Sequence, residues 1–284
     1  MSERANDDAN PAPETLEGFY VSHDVLDVDW ASWRRLPAGE QMQLAGELAE
    51  FIGAGHALKP LQQGDAATYR VVGQKGDLLL LHYRRSMAEL LDVDRGLRSL
   101  AIWDHLRPRY GYLSVIEASL YEATGRAHAT LARQGLKPGT ADFDEAFERE
   151  LMTQREHLHQ RVYRPIPDGS HLCFYPMSKR RGEQVNWYDT PLAERRKLMG
   201  GHGRIGHKYF KSLTQVIGGS VGFDDWEWSV DLHGDEPLQF KKLIYEMRFD
   251  PASSRYAEFG PFYIGLRADG KDLITFLVGT GHGT

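Results

Sequence analysis

The chain has 284 residues, a formal net charge of −6, 41% hydrophobic and 26% charged residues, and a single cysteine. That balance describes a soluble chain long enough for two compact units, argues against a general nucleic-acid binder, and leaves no apolar run near the roughly 18 residues that cross a bilayer. Cys173 alone rules out an internal disulfide and suits a reducing, cytoplasmic setting.

Residues 1–16 are polar, acidic and proline-containing, so they read as a disordered lead and not as a secretory signal. A strand is expected over Gly18 to Val25. Next come a strand from Thr68 to Val72, a turn from Gly73 to Asp77, a strand from Leu78 to Tyr83 and a helix from Met87 to about His105. A strand over Tyr112 to Tyr121 precedes a turn at Gly135 to Thr140. Phe143, Phe147 and Leu151, at four-residue steps, open a helix that runs toward His159. His157 and His159 fall on different faces of it and read as solvated.

His171 to Pro176 is a strand, with Cys173 a small buried hydrophobe. From Thr190 to Phe210 the chain reads as one amphipathic helix: Thr190 caps it, Pro191 fits its first turn, and Leu198, His202, Ile205 and Tyr209 share a face. Gly200, Gly201, Gly203 and Gly206 surround His202, and each glycine costs about 1 kcal/mol relative to alanine inside a helix. A flat, bulky ligand against the helix would compensate. The other readings are two helices meeting at the glycines, and a histidine satisfied within the core. The same glycines spell a dinucleotide-type pattern, but a capped helix precedes them where that motif needs a strand, so a Rossmann site is rejected. His207 falls on another face and reads either as surface or as a residue standing behind the ligand's direct contacts.

A strand from Thr214 to Gly218, a turn ending at Asp224 and Asp225, a strand from Trp226 to Leu232 and a helix from Pro237 to about Met247 follow. A strand over Phe259 to Leu266 comes after them. Alternation would put Trp226 and Trp228 on one face and Glu227 on the other. This outline repeats that of residues 68–105, which suggests an internal duplication, an α+β fold and two sheets placed back to back.

Four segments carry a resemblance. Phe174 to Arg181, Asn186 to Tyr188, Gly219 to Trp228 and Tyr245 to Asp250, in this order, resemble the coproheme decarboxylases of Gram-positive-type bacteria, within the chlorite dismutase-like superfamily. The likeness is dense from Arg161 to Ile264 and thinner before. It implies two ferredoxin-like units forming a dimeric α+β barrel in one chain, at 17–134 without haem and at 135–284 with the haem site, assembled as a homopentamer.

The substrate and redox cofactor would be Fe-coproporphyrin III, the co-substrate hydrogen peroxide, the product haem b, and the upstream neighbour a coproporphyrin ferrochelatase. On matching positions, His202 would be the proximal iron ligand and Tyr175 the radical relay. Arg161, Lys179, Arg248 and Ser253 would hold propionates, while Gln215 would take the distal place where chlorite dismutases carry an arginine. A neutral glutamine cannot replace a guanidinium, so chlorite dismutation is not expected. Trp187, Phe223, Trp226 and Trp228 could supply apolar walls, with Trp187 and Trp228 against the macrocycle. Arg180 and Arg181 read as a solvated face. A haem peroxidase and a haem carrier or sensor are the other functional readings.

Overall fold

The computed structural model describes residues 12–279. In chain order it contains β1 (Thr15–Val28), α1 (Trp30–Trp33), α2 (Ala38–His56), β2 (Gly64–Val72), β3 (Leu78–Arg84), α3 (Met87–Ser99) and β4 (Leu106–Ser119). Then come α4 (Tyr121–Arg133), α5 (Ala141–Val162), β5 (His171–Lys179), α6 (Leu192–Lys208), β6 (Thr214–Gly219), β7 (Trp228–Gly234), α7 (Leu238–Met247), α8 (Pro251–Ser254), β8 (Ala257–Phe259), β9 (Tyr263–Arg267) and α9 (Lys271–Val278). Among the described residues no helix is long and apolar enough to cross a membrane.

The strands run β7-β6-β4-β1-β3-β2-β9-β5-β8, and β7 also pairs with β5, so eight of them close on themselves and β8 hangs on β5. Closure removes the free edges that an open sheet would expose. Within the ring, β4-β1-β3-β2 and β6-β7-β5-β9 are two copies of one antiparallel order, each with helices on its outer face. These are two ferredoxin-like units making one barrel, and the expected α+β fold is the observed one.

Side-chain alternation sorts the core. Phe19, Val21, Tyr69, Leu81, Tyr83, Tyr112, Phe174 and Val216, drawn from both halves, pack together inside the ring. Outside it, α2, α3 and α9 cover the first half through Leu48, Ile52, Leu97 and Leu277 against Leu78 and Leu80. Being covered on both faces makes all of β3 buried, and its sequence accordingly opens on four consecutive leucines, Leu78 to Leu81, before His82, Tyr83 and Arg84. The outer face of the second half carries Cys173, Tyr175, Val230 and Leu232 under Leu213, Phe240, Leu243 and Met247.

Several expected boundaries move. The lead falls mostly at 1–11, outside the described residues, while Thr15 and Leu16 already belong to β1. The helix from Met87 ends at Ser99, and a 3₁₀ turn (Ala101–His105) replaces its tail. β4 starts six residues before Tyr112, and Tyr121 opens α4. Phe259 to Leu266 is two strands, β8 and β9, not one. Pro191, not Thr190, occupies the N-cap of α6, because the Thr190 hydroxyl donates to the Asn186 carbonyl at 3.1 Å instead. Helices α1, α2, α4 and α9 lie in stretches for which no element was expected.

Candidate active site

Helix α6 lies over the outer face of the second half without filling it. Its expected core face, Leu198, His202, Ile205 and Tyr209, is half-buried throughout, and the helix fully buries only Leu192 and Arg195. On β5, residues 173, 175, 177 and 179 share the sheet face that looks toward this helix, and register places Tyr175 beside Val230 and Met177 beside Trp228. The result is a cleft floored by strands and roofed by α6.

His202 is anchored in that roof. Its Nδ1 lies 2.8 Å from Asp250 Oδ2, just before α8. Burial, opposed by the Asp250 hydrogen bond, lowers the His202 pKa, so the ring is neutral at pH 7. With Nδ1–H donated to the carboxylate, Nε2 carries the lone pair a metal needs, the arrangement by which a second carboxylate orients a ligating imidazole. The glycines around it are not imposed by the chain's own packing. A Cβ on Gly203 would meet nothing within 4 Å, and one on Gly206 would make ordinary contacts with Met247 at 3.6 Å and Gln215 at 3.8 Å. Of the four, only Gly206 and Gly201 border site residues, Gln215 and Asp250 respectively, which narrows the expectation that all of them serve a ligand.

Tyr175 is 8% exposed, stacks on Phe262 at 4.5 Å and leans on Phe259 at 5.9 Å. The Arg248 guanidinium covers the second of these rings, 3.8 Å from the Phe259 centroid. Burial raises the Tyr175 pKa well above its ordinary value, outweighing the nearby Arg248, so the phenol keeps its proton at any physiological pH.

Lys179 is buried too. Its Nζ donates to the Ala252 carbonyl at 3.0 Å and sits 4.5 Å above the ring of Trp187, which is itself wedged edge-on against Tyr256 at 5.1 Å. Burial pushes the ammonium pKa down to about 8, with Asp250 and Glu227 pulling the other way. Ser253 is buried on α8, its N–H donating to the Asp250 carbonyl at 3.0 Å. A cavity of 540 Å³ opens beside Lys179, bordered also by Ser178, Arg181 and Trp226.

Seven expected residues therefore gather around one cleft: Tyr175, Lys179, Trp187, His202, Gln215, Arg248 and Ser253. Trp228 reaches its edge from β7. Arg161 does not join them. It is exposed on the last turn of α5, a helix packed on α4, β1 and β4. Phe223 is 41% exposed and stacks on Tyr20, so it is no wall of the cleft. Trp226 precedes β7 and packs partly against the barrel interior, because the alternation assumed for it starts only at Trp228. Arg180 and Arg181 are exposed and pair with Glu258 and Glu227. His207 is exposed and stacks on Phe210, and His157 and His159 are exposed on α5.

Sequence reasoning missed Asp250 and Glu227. Asp250 closes the Tyr245 to Asp250 segment, yet nothing at the sequence level ties it to a histidine 48 residues earlier. Glu227 is 6% exposed and accepts the Lys179 N–H at 2.7 Å.

The family model for chlorite dismutase matches residues 41–268. The chain belongs to the chlorite dismutase family. Coproheme decarboxylases of Staphylococcus carnosus and Staphylococcus saprophyticus are 40% and 41% identical to it, over 93% and 89% of this chain and 98% and 93% of theirs. A putative heme-binding protein of Natronomonas pharaonis is 38% identical over 95% of this chain, which spans 44% of that protein's length. Among solved structures, a heme-binding protein from Thermus thermophilus superposes with a TM-score of 0.79 at 37% identity, covering 95% of this chain and 98% of that one. A mutant chlorite dismutase from Candidatus Nitrospira defluvii shares the fold, with a TM-score of 0.68 at 14% identity over 93% of this chain and 97% of its own.

Proposed function

We propose that this protein is a coproheme decarboxylase, converting two propionates of Fe-coproporphyrin III to vinyl groups and releasing haem b. The observation that carries the reading is the gathering of Tyr175, Lys179 and His202 around one cleft in a chain 40% identical to coproheme decarboxylases over nearly their whole length. The cleft suits a porphyrin: an apolar floor, a neutral imidazole with a free Nε2, and cations at its margin.

Each turnover removes two electrons. A propionic acid and hydrogen peroxide give a vinyl group, carbon dioxide and two waters. Bound at His202, the substrate's iron with peroxide supplies the oxidising power. The chain's own residues do the rest. Asp250 keeps Nδ1 protonated and Nε2 available. Tyr175, held neutral, yields its hydroxyl hydrogen, and the resulting radical takes a hydrogen from a propionate β-carbon. Lys179, Arg248 and Ser253 hold carboxylates, each charge-assisted contact contributing roughly 1.5–3 kcal/mol. Arg161 belongs to this set by resemblance alone. Gln215 takes the distal side and Trp187 and Trp228 the edges of the macrocycle. The proposal includes peroxide as oxidant, a cytoplasmic homopentamer, and transient contact with a coproporphyrin ferrochelatase.

Mixing the protein with Fe-coproporphyrin III and peroxide and following mass tests it. Two successive losses of about 46 mass units, carbon dioxide plus two hydrogens each, are expected. Binding with no loss would leave a haem carrier. Oxidation of small donors without loss would leave a peroxidase.

A further inference from the structure

Strand β5 carries Tyr175 and ends on Lys179. Its ladder with β7 stops two residues earlier, at Met177 opposite Trp228, although continuing the register would set Lys179 opposite Trp226. Trp226 is drawn away, because its carbonyl accepts the Tyr112 hydroxyl of β4 at 2.9 Å. The Lys179 N–H thereby loses the strand acceptor that the register would have supplied, and the Glu227 carboxylate fills the place, Oε2 accepting it at 2.7 Å. Glu227 is itself fixed along its main chain. Its N–H donates to Ser178 Oγ at 3.2 Å, and its carbonyl accepts the Ser220 N–H at 2.7 Å. A buried carboxylate needs pairing. Oε1 lies 3.4 Å from Arg181 Nε, so an exposed guanidinium meets the charge.

We propose that Glu227 is a positioning residue for the cleft: its carboxylate stands in for the missing strand and holds the end of β5 where the Lys179 ammonium can receive a propionate. The inference deepens the decarboxylase reading and rests on it for the identity of the ligand. On its other edge β5 is held to its last residue by β8, through Lys179 opposite Ala257, and just beyond by the Arg180 N–H on the Tyr256 carbonyl at 2.7 Å. On the β7 edge that task falls to Glu227. An ammonium reaching from a strand end moves with its Cα, so a shift there takes Nζ off the Ala252 carbonyl and the face of Trp187. The charge of Glu227 acts in the same sense, helping Asp250 to offset the cost of burying that ammonium. A neutral acceptor would hold the strand alone, whereas the carboxylate also supports the charge.

The test uses the full chain and Fe-coproporphyrin III at pH 6, below the Lys179 pKa of about 8, so that the ammonium is charged throughout. Glu227→Ala and Glu227→Gln are each made in the parent and in Lys179→Met. Coproheme affinity is read from a Soret titration, and protection of the residue 179 amide from hydrogen exchange in the ligand-free protein. The two mass losses with peroxide are followed in the parent. Glu227→Ala should open that amide to exchange and weaken coproheme binding roughly 5- to 12-fold, the size of one ordinary hydrogen bond. In the Lys179→Met background the same substitution should change affinity less than about 2-fold, because no ammonium remains to misplace. Glu227→Gln keeps a carbonyl for the N–H and should stay within about 2-fold of the parent. Parental affinity or amide protection in Glu227→Ala, a loss as large in Glu227→Gln, or equal losses in both backgrounds would each overturn the inference. If Glu227→Ala does not fold, Glu227→Asp, one methylene short of the amide, replaces it with the same expectations. Should the parent bind coproheme without losing mass, the decarboxylase reading fails while amide exchange and the affinities in both backgrounds still judge Glu227.

Discussion

At the scale of single residues, the site combines groups that burial makes costly with groups that burial makes useful. Lys179 is the clearest case. Its folded pKa, about 8, lies below its ordinary value of 10.5, so between these limits the unfolded chain binds more protons and stability rises with pH. Below pH 8 the buried ammonium costs on the order of 3 kcal/mol. Lys179→Met should therefore raise the midpoint of thermal unfolding of the ligand-free protein at pH 7 and lower coproheme affinity by about 10-fold or more. In the parent, that affinity should weaken as pH rises past about 8. A methionine variant that is less stable and binds as well would contradict the assignment. His202→Ala should change the Soret and charge-transfer bands of the ferric complex, since the Asp250-held imidazole is lost. Unchanged spectra would remove His202 from the iron.

At the scale of elements, α6 shows how far sequence reading reached. Its existence, its apolar face and the central histidine were all legible, because Leu198, His202, Ile205 and Tyr209 keep helical spacing. That the face would be only half-buried was not, since periodicity reports which side is apolar and not whether anything fills the space beneath. The overlooked helices have a different cause. α2 buries Ala45 and Gly55 among its larger apolar residues, so the contrast between its faces is weak, whereas the buried stripe of α4, Ala123, Thr124, Gly125, Ala127 and Leu131, is built mostly of small residues that do not stand out as an apolar run. Glycine substitutions test the cleft. Gly203→Ala meets no neighbour and should stabilise the helix by up to about 1 kcal/mol with coproheme affinity unchanged. Gly206→Leu should gain similar helix stability but reach toward Gln215 and weaken coproheme binding, read by paired unfolding and titration curves. Equal affinities for the two variants would mean that the ligand lies elsewhere.

At the scale of the whole molecule, the halves share one interior. His23 of β1 places Nε2 2.9 and 3.0 Å from the two oxygens of Asp231 on β7, both side chains being buried, and its ring stacks on Phe174 of β5 at 4.0 Å. This contact joins strands that lie on opposite sides of the proposed division at 134/135, and no sequence pattern pairs residues 208 apart. His23→Leu leaves the carboxylate uncompensated and should cost about 3–5 kcal/mol in denaturant unfolding, with a single transition for the whole barrel. A loss below about 1 kcal/mol, or two separate transitions, would show halves that stand independently. The duplication itself was legible from the repeated strand-turn-strand-helix outline. Barrel closure through β5 and β7 followed from the family resemblance and not from any periodicity.

The proposed chemistry turns on Tyr175, buried among Phe259 and Phe262 with a phenol that stays protonated. Tyr175→Phe preserves the ring and its packing but has no O–H bond to give. The most direct measurement is the mass of porphyrin recovered after peroxide is added to the coproheme complex of this variant, beside the parent. The variant should bind coproheme with a near-parental spectrum and yield neither the three-propionate intermediate nor haem b, the porphyrin being bleached instead. Haem b formed by the phenylalanine variant at close to the parental rate would contradict the radical relay.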